Sequence, residues 1–377
     1  MSPPLRAEGA GRESDKARRT ERSGKESIMS IQREFFGHTP EGDAFLYTIT
    51  TGRLTAVLTD YGAVLVRLFT PDRNGRQEDI VLGFDDLADY MNNPFCFGAS
   101  IGPSANRIKD ASFEIDGAVY HIPANEGPNN LHSDKTFYKR LFRTQTDDNS
   151  ITFTLKIPDG EAGFPGNRTF SIRYTLTEED LRIDYHASSD KKTIINLTNH
   201  SYFNLAGEGS GDVLAQHLQM NCHAYTPVDD MLIPTGEIRD VAGSFFDFTA
   251  GKAIGKDLAR SEADRESGTP VGYDHNFVID GYTGDGRMLK VGEAWDPGSG
   301  RVMEIYTNVP GVQFFTLGGV TVEGGKGGRA YNSSAGFALE TQFFPDNVHH
   351  DHFPKAVFGE DRDYESTTIY RFGACRE

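Results

Sequence analysis

A carboxylate set inside an apolar run is the first group in this sequence that could do chemistry. Glu340 sits within Gly336-Phe337-Ala338-Leu339-Glu340-Thr341-Gln342-Phe343-Phe344. An ionised carboxylate in such surroundings is expensive unless it is partnered. Partial burial raises its pKa from about 4.3 toward neutrality, where it serves as a general base. A charge on the wet face of an edge strand is the plainer reading, but apolar neighbours on both sides favour function. The second candidate is the run Asn196-Leu197-Thr198-Asn199-His200-Ser201-Tyr202-Phe203-Asn204-Leu205. As a strand it puts Asn196, Thr198, His200, Tyr202 and Asn204 on one face and Leu197, Asn199, Ser201, Phe203 and Leu205 on the other. The first face suits water. It equally suits a sugar cleft, since a hydroxyl-rich ligand takes many hydrogen bonds and an aromatic contact.

The elements that must position these residues read as β-structure. From Ile31 onward, short β-rich runs of about five to eight residues alternate with Gly, Pro, Asn and Asp clusters. The runs are 54–59, 64–70, 80–84, 112–115, 151–157, 169–176, 182–187, 302–307 and 312–317. Helical periodicity is scarce, with 86–91 and 253–259 as the short candidates. No linker or internal repeat divides residues 31–377, which predicts one large all-β, antiparallel domain. Residues 1–30 are charged and nearly free of aromatics, so they are expected to form a disordered extension. That segment has no apolar stretch for a secretory signal, and its acids argue against a mitochondrial presequence. Met29 is an alternative start.

Charge and cysteine usage narrow the function. The net charge of −17 repels phosphate backbones and anionic membranes, so neither nucleic acid nor a membrane is an expected partner. A neutral small molecule fits better. No apolar run approaches the roughly 18 residues that span a bilayer. Three cysteines, Cys96, Cys222 and Cys375, without paired spacing fit a reducing, cytoplasmic compartment. The Asn-x-Ser/Thr matches at Asn167, Asn196 and Asn332 would then go unused.

The two candidate segments, with several others, resemble the galactose mutarotase (aldose 1-epimerase) family. Asn196–Leu205 with Ala206-Gly207 is similar to the family's hallmark stretch. The same order holds for Tyr61-Gly62-Ala63, Val81-Leu82-Gly83-Phe84, Ala105-Asn106-Arg107-Ile108 and Asn130-Leu131-His132. It continues through Thr226-Pro227-Val228-Asp229, Gly272-Tyr273-Asp274-His275-Asn276-Phe277, Pro310-Gly311-Val312-Gln313-Phe314 and Ala338-Leu339-Glu340-Thr341-Gln342. Each match alone is weak; eight in order are not. The resemblance implies a large β supersandwich with few short helices and a sugar on its concave face. It implies Glu340 as general base and His200 as general acid. Arg107, His132, Asp274 and Gln313 would hold the sugar hydroxyls, with Asn106 beside them. His275 is left structural. The implied reaction interconverts the α and β anomers of free hexoses such as glucose and galactose, in a monomer or weak dimer, with no cofactor and no metal. Three departures stand out: Ser133-Asp134 in place of a Gly pair, Phe142 in place of Trp, and Pro103 in place of Arg. All three are expected around the cleft, where they would bear on sugar preference.

Other signals compete. His349-His350-Asp351-His352 near Asp346 has metal-ligand chemistry, but its spacing matches no standard zinc pattern, so a solvated loop is expected. Gly324-Gly325-Lys326-Gly327-Gly328-Arg329 lacks the spacing and hydroxyl of a P-loop and reads as a flexible surface loop. Trp295 is either a sugar-stacking ring or a packed surface turn. Two rival functions remain. A hexose 6-phosphate epimerase would need extra cations at the cleft, and a non-catalytic carbohydrate-binding module would not need Glu340 and His200.

Overall fold

Two-residue alternation builds most of the chain. In Arg168–Leu176 and Asp180–Ser189, alternate side chains are fully buried while the intervening ones reach the surface, the pattern of a sheet with one wet face. The computed structural model describes residues 30–258 and 272–375. Apart from Ser30, which opens the first strand, the 1–30 extension lies outside them.

Three antiparallel sheets carry the architecture. The first is a five-stranded meander in chain order, from Ser30–Thr39 through Gly42–Thr50, Thr55–Thr59 and Val64–Pro71 to Gln77–Asp79. The second has nine strands and centres on Asp180–Ser189, Tyr364–Ala374 and Arg301–Thr307, neighbours in that order. The third has five strands and ends in Asp274–Val278, Gly311–Thr316 and Phe337–Gln342. One continuous apolar core joins Ile49 and Leu58 of the first sheet, Ile172 and Ile305 of the second, and Phe277, Phe314 and Phe337 of the third. Contacts between layers include Tyr47 against Phe153, ring centroids 6.1 Å apart, and the Tyr370 hydroxyl donating to Leu339 O at 3.1 Å. This is the layered, antiparallel all-β architecture expected from the sequence.

The third sheet differs in one respect that matters for function. Every residue of Phe337–Gln342 is buried, as are five of the six in Gly311–Thr316. Phe337–Gln342 is an edge strand, but Thr198–Phe203 covers it and pairs with it at Phe203–Phe337. Glu340 therefore has no wet face.

Eight of the nine expected strands form, within a residue or two of their bounds. The exception is Ile80–Phe84. Its sheet strand ends at Asp79, and Val81 makes only an isolated bridge to Phe203. The expected 86–91 helix is present as Leu87–Asn92, with Asp86 as its N-cap. The 253–259 helix is not borne out over its first five residues: Ala253 closes the strand Lys252–Ala253 and turns follow to Asp257. Ala259 lies outside the described residues. Among these residues, no helix is long and apolar enough to cross a membrane.

Candidate active site

Short paired segments and the third sheet meet to form the site. Arg107–Ile108 pairs with Asn130–Leu131, with Arg107 opposite Leu131, which puts Arg107 beside His132. Thr198–His200 pairs with Ala99–Ile101, with His200 opposite Ala99. In the third sheet, Asp274 faces Phe315 across one strand pair, and Gln313 faces both Asn276 and Glu340. Strand alternation turns His275 the other way, onto Phe246 at 4.3 Å between ring centroids.

These segments line an open pocket whose walls include Asn106, Arg107, His132, His200, Asp274 and Glu340. Of the seven residues singled out in the sequence, six line it. The seventh, Gln313, stands behind: its Nε2 donates to Asp274 Oδ1 at 2.6 Å. Gln342 donates in turn to Gln313 Oε1 at 3.4 Å. Arg107 Nη1 lies 3.6 Å from Asp274 Oδ2, and its other nitrogens grip Glu126 at 2.6 and 3.0 Å. Glu126 went unnoticed in the sequence. Its only signal was a carboxylate in the Gly-Pro turn just before Asn130-Leu131-His132.

At the pocket floor His200 Nε2 lies 3.5 Å from Glu340 Oε1, and Glu340 Oε2 has no hydrogen-bond partner. Burial, reinforced by Asp274, pushes the Glu340 carboxyl well above its usual range, against the pull of Arg107. Burial also pushes His200 down to about 4. The two shifts favour a neutral pair over an ion pair. Arg107 is the opposite case. Burial works against its charge, but Asp274 and Glu126 outweigh that and raise its pKa. The His200 ring packs on Tyr202, centroids 4.9 Å apart, and the Tyr202 hydroxyl is anchored on Phe95 O at 3.0 Å.

The polar face expected for 196–205 is split. His200 and Tyr202 reach the pocket, but Asn196 and Asn204 serve the backbone instead. Asn196 bonds both the N–H and the carbonyl of Phe343, at 2.9 and 3.1 Å. Asn204 donates to Gly211 O and Ala335 O, each at 3.0 Å. A regular strand forms only over Thr198–His200; on either side the run makes isolated bridges, Asn196 to Ser104 and Phe203 to both Val81 and Phe337, and all of 196–205 is buried.

Comparison with known proteins agrees with this geometry. The family described as "Aldose 1-epimerase" matches residues 46–371. The chain belongs to the aldose 1-epimerase family. It is 38% identical to a galactose mutarotase from Bos taurus over 354 residues, covering 92% of this chain and 100% of the relative. It is 33% identical to an aldose 1-epimerase from Escherichia coli K12 over 343 residues, covering 88% and 96%. Among solved structures, an aldose epimerase homologue from C. elegans superposes with a TM-score of 0.78 at 28% identity, covering 92% and 100%.

Two of the three departures from the aldose 1-epimerase pattern lie away from the pocket, contrary to expectation. Phe142 packs on Phe137 in the core, and Pro103 uses its carbonyl to accept from Asn196 N–H at 2.7 Å. Only the Ser133-Asp134 segment borders the cleft, between the pocket-lining His132 and Lys135.

The competing signals resolve structurally. His349 bonds Asp346 at 2.6 Å, His350 reaches Pro234 O and His352 reaches Gly236 O, so they tie loops together. Lys326 of the Gly-rich run is 2% exposed and bonded to Asp79 at 2.7 Å; the run is anchored in the core, not a loose surface loop. Trp295 stacks on His217 at 5.0 Å and does not line the pocket.

Proposed function

We propose that the chain catalyses the interconversion of α and β anomers of free hexoses such as glucose and galactose, with Glu340 as base and His200 as acid. The observation that carries this is the 3.5 Å approach of His200 Nε2 to Glu340 Oε1 inside the pocket. O1 and O5 of a cyclic hexose share one carbon, so a base for one and an acid for the other must be close neighbours.

Glu340 takes the O1 proton while His200 delivers a proton to O5, and the C1–O5 bond breaks. The open aldehyde rotates about C1–C2 and presents its other face. O5 then attacks C1, returning its proton to His200, and Glu340 gives its proton to O1. The pair holds one proton net at the start of this cycle and one at its end. An O1 hydroxyl donating to Glu340 favours the carboxylate, and Arg107 acts in the same direction. In this reading Arg107, His132 and Asp274 hold sugar hydroxyls, with Asn106 beside them, and the Gln313 bond to Asp274 Oδ1 supports that arrangement.

A phosphorylated sugar fits less well. Of the two cations at the pocket, Arg107 is committed to Glu126 and Asp274, which leaves Lys135 for a dianion. Polarimetry with freshly dissolved α-D-glucose and α-D-galactose tests the reading. Glu340→Ala and His200→Ala should each lower the rate by roughly 10²- to 10⁴-fold while remaining folded. Undiminished turnover in either variant removes that residue's role. A wild-type chain that leaves the anomer ratio untouched removes the function.

A further inference from the structure

His132 belongs to a segment with an unusual backbone. His132, Ser133, Asp134 and Lys135 have φ values of 54°, 50°, 69° and 62°, four consecutive left-handed residues and not one a glycine. Such a run is disfavoured for L-residues and persists only where the surroundings over-determine it. Ser133 supplies much of that determination. Its hydroxyl accepts from Ser104 N–H at 2.7 Å and donates to Ser104 O at 2.9 Å. Its own N–H donates to Asn130 Oδ1 at 3.1 Å, and the residue is 1% exposed. Two residues beyond Ser104, the Asn106 N–H donates to His132 Nδ1 at 3.1 Å, and the His132 N–H donates to Asn106 O at 3.1 Å. Four hydrogen bonds therefore stitch 104–106 to 132–133.

We propose that the Ser133 hydroxyl is a clamp that holds His132 in a single tautomer, Nδ1 bare and Nε2 protonated, making Ser133 a positioning residue for the epimerase reaction. A backbone N–H can only donate, so the Nδ1 that accepts it carries a lone pair. Burial keeps the ring neutral, well below its usual pKa, so its one proton is on Nε2. His132 then meets the sugar as a donor and never as a base, which leaves base chemistry to Glu340. The clamp also decides a second matter. His132, His200 and Glu340 bring ligand-type atoms within 4.8 Å of one another, a set that matches a metal site. A metal-bound histidine donates its second N–H outward; here that position receives an N–H, and Nε2 has no lone pair to offer.

The inference rests on the proposed activity only for its kinetic arm. The test uses the ¹⁵N-labelled full chain and multiple-bond ¹H–¹⁵N correlation of its histidines, with His132 assigned through His132→Gln. The wild type should show the Nε2–H pattern for His132. Ser133→Ala and Ser133→Gly both remove the hydroxyl, and the glycine variant also relieves the left-handed backbone, which keeps it folded. Both should convert the pattern to a tautomer mixture and lower kcat by roughly 10- to 100-fold, with KM for galactose little changed. An Nδ1–H pattern in the wild type overturns the proposal. So does a glycine variant that keeps the wild-type pattern, whether or not its rate falls. Absence of mutarotation by the wild type would sink the activity and leave the tautomer result standing.

Discussion

Burial penalises the Glu340 carboxylate, and Asp274 adds repulsion, so its pKa is raised. A carboxyl whose folded pKa is raised favours the fold below its unfolded value near 4.5. That advantage is lost as pH rises toward the folded value. Glu340→Gln removes this liability. Its melting temperature should match the wild type at pH 4 and exceed it at pH 8. Thermal melts across that range decide it, and a glutamine variant less stable than wild type at pH 8 contradicts the assignment. His200 has the opposite sign. Its pKa falls from the usual 6.5 to about 4, so its contribution is whole above pH 6.5 and lost as pH drops through that interval. His200→Gln should therefore flatten the acid side of the stability curve. Glu340 was legible in the sequence because a charge inside Phe337–Phe344 is an anomaly in itself. Gln313 and Glu126 were not separable in this way, since whether a polar side chain touches the ligand or braces its neighbour depends on cross-strand register.

The element that brings acid and base together is Thr198–His200, which links Ala99–Ile101 to the Glu340 strand. Asn196 is the rivet at its start. Its amide satisfies both backbone groups of Phe343, three residues past Glu340, and it is 1% exposed. Replacing it with alanine leaves a buried N–H and a buried carbonyl unpaired, at about 1–3 kcal/mol each. Asn196→Ala should lower stability by roughly 2–4 kcal/mol in urea unfolding, and kcat should fall with it as the His200–Glu340 spacing loosens. A variant that loses less than about 0.5 kcal/mol shows that water has taken over the amide's role. The sequence showed this run but not how its polar face is divided, for a physical reason. Alternation reports a strand with one wet face, and 196–205 has none; the same cause spoiled the reading of Ile80–Phe84. Lys326 shows the converse error, because a Gly-rich run looks mobile until its one long side chain is found buried on Asp79.

At the scale of the molecule, the sheets were legible and the pocket's charge balance was not. Strands of the nine-stranded sheet announce themselves because one face must be apolar and the other polar. Pairing Arg107 with Glu126 and Asp274, by contrast, depends on contacts between residues far apart in the chain. That pairing separates the site from the field around it. The whole chain carries −17, a potential that reaches solutes outside the pocket and is screened by salt. Charges buried within the pocket are screened much less. A neutral hexose feels neither steering nor repulsion, so kcat/KM for galactose should change by less than about twofold from about 0.02 to about 0.5 M salt, while the screening length falls from roughly 20 Å to roughly 4 Å. A hexose 6-phosphate must bring a dianion up to an acidic protein with a single uncommitted ammonium, Lys135, at the mouth. Any turnover of it should be slow and should rise with salt as repulsion is screened. If the phosphate is instead the faster substrate and its rate falls with salt, the pocket presents more free positive charge than Lys135 alone, and the neutral-sugar assignment fails.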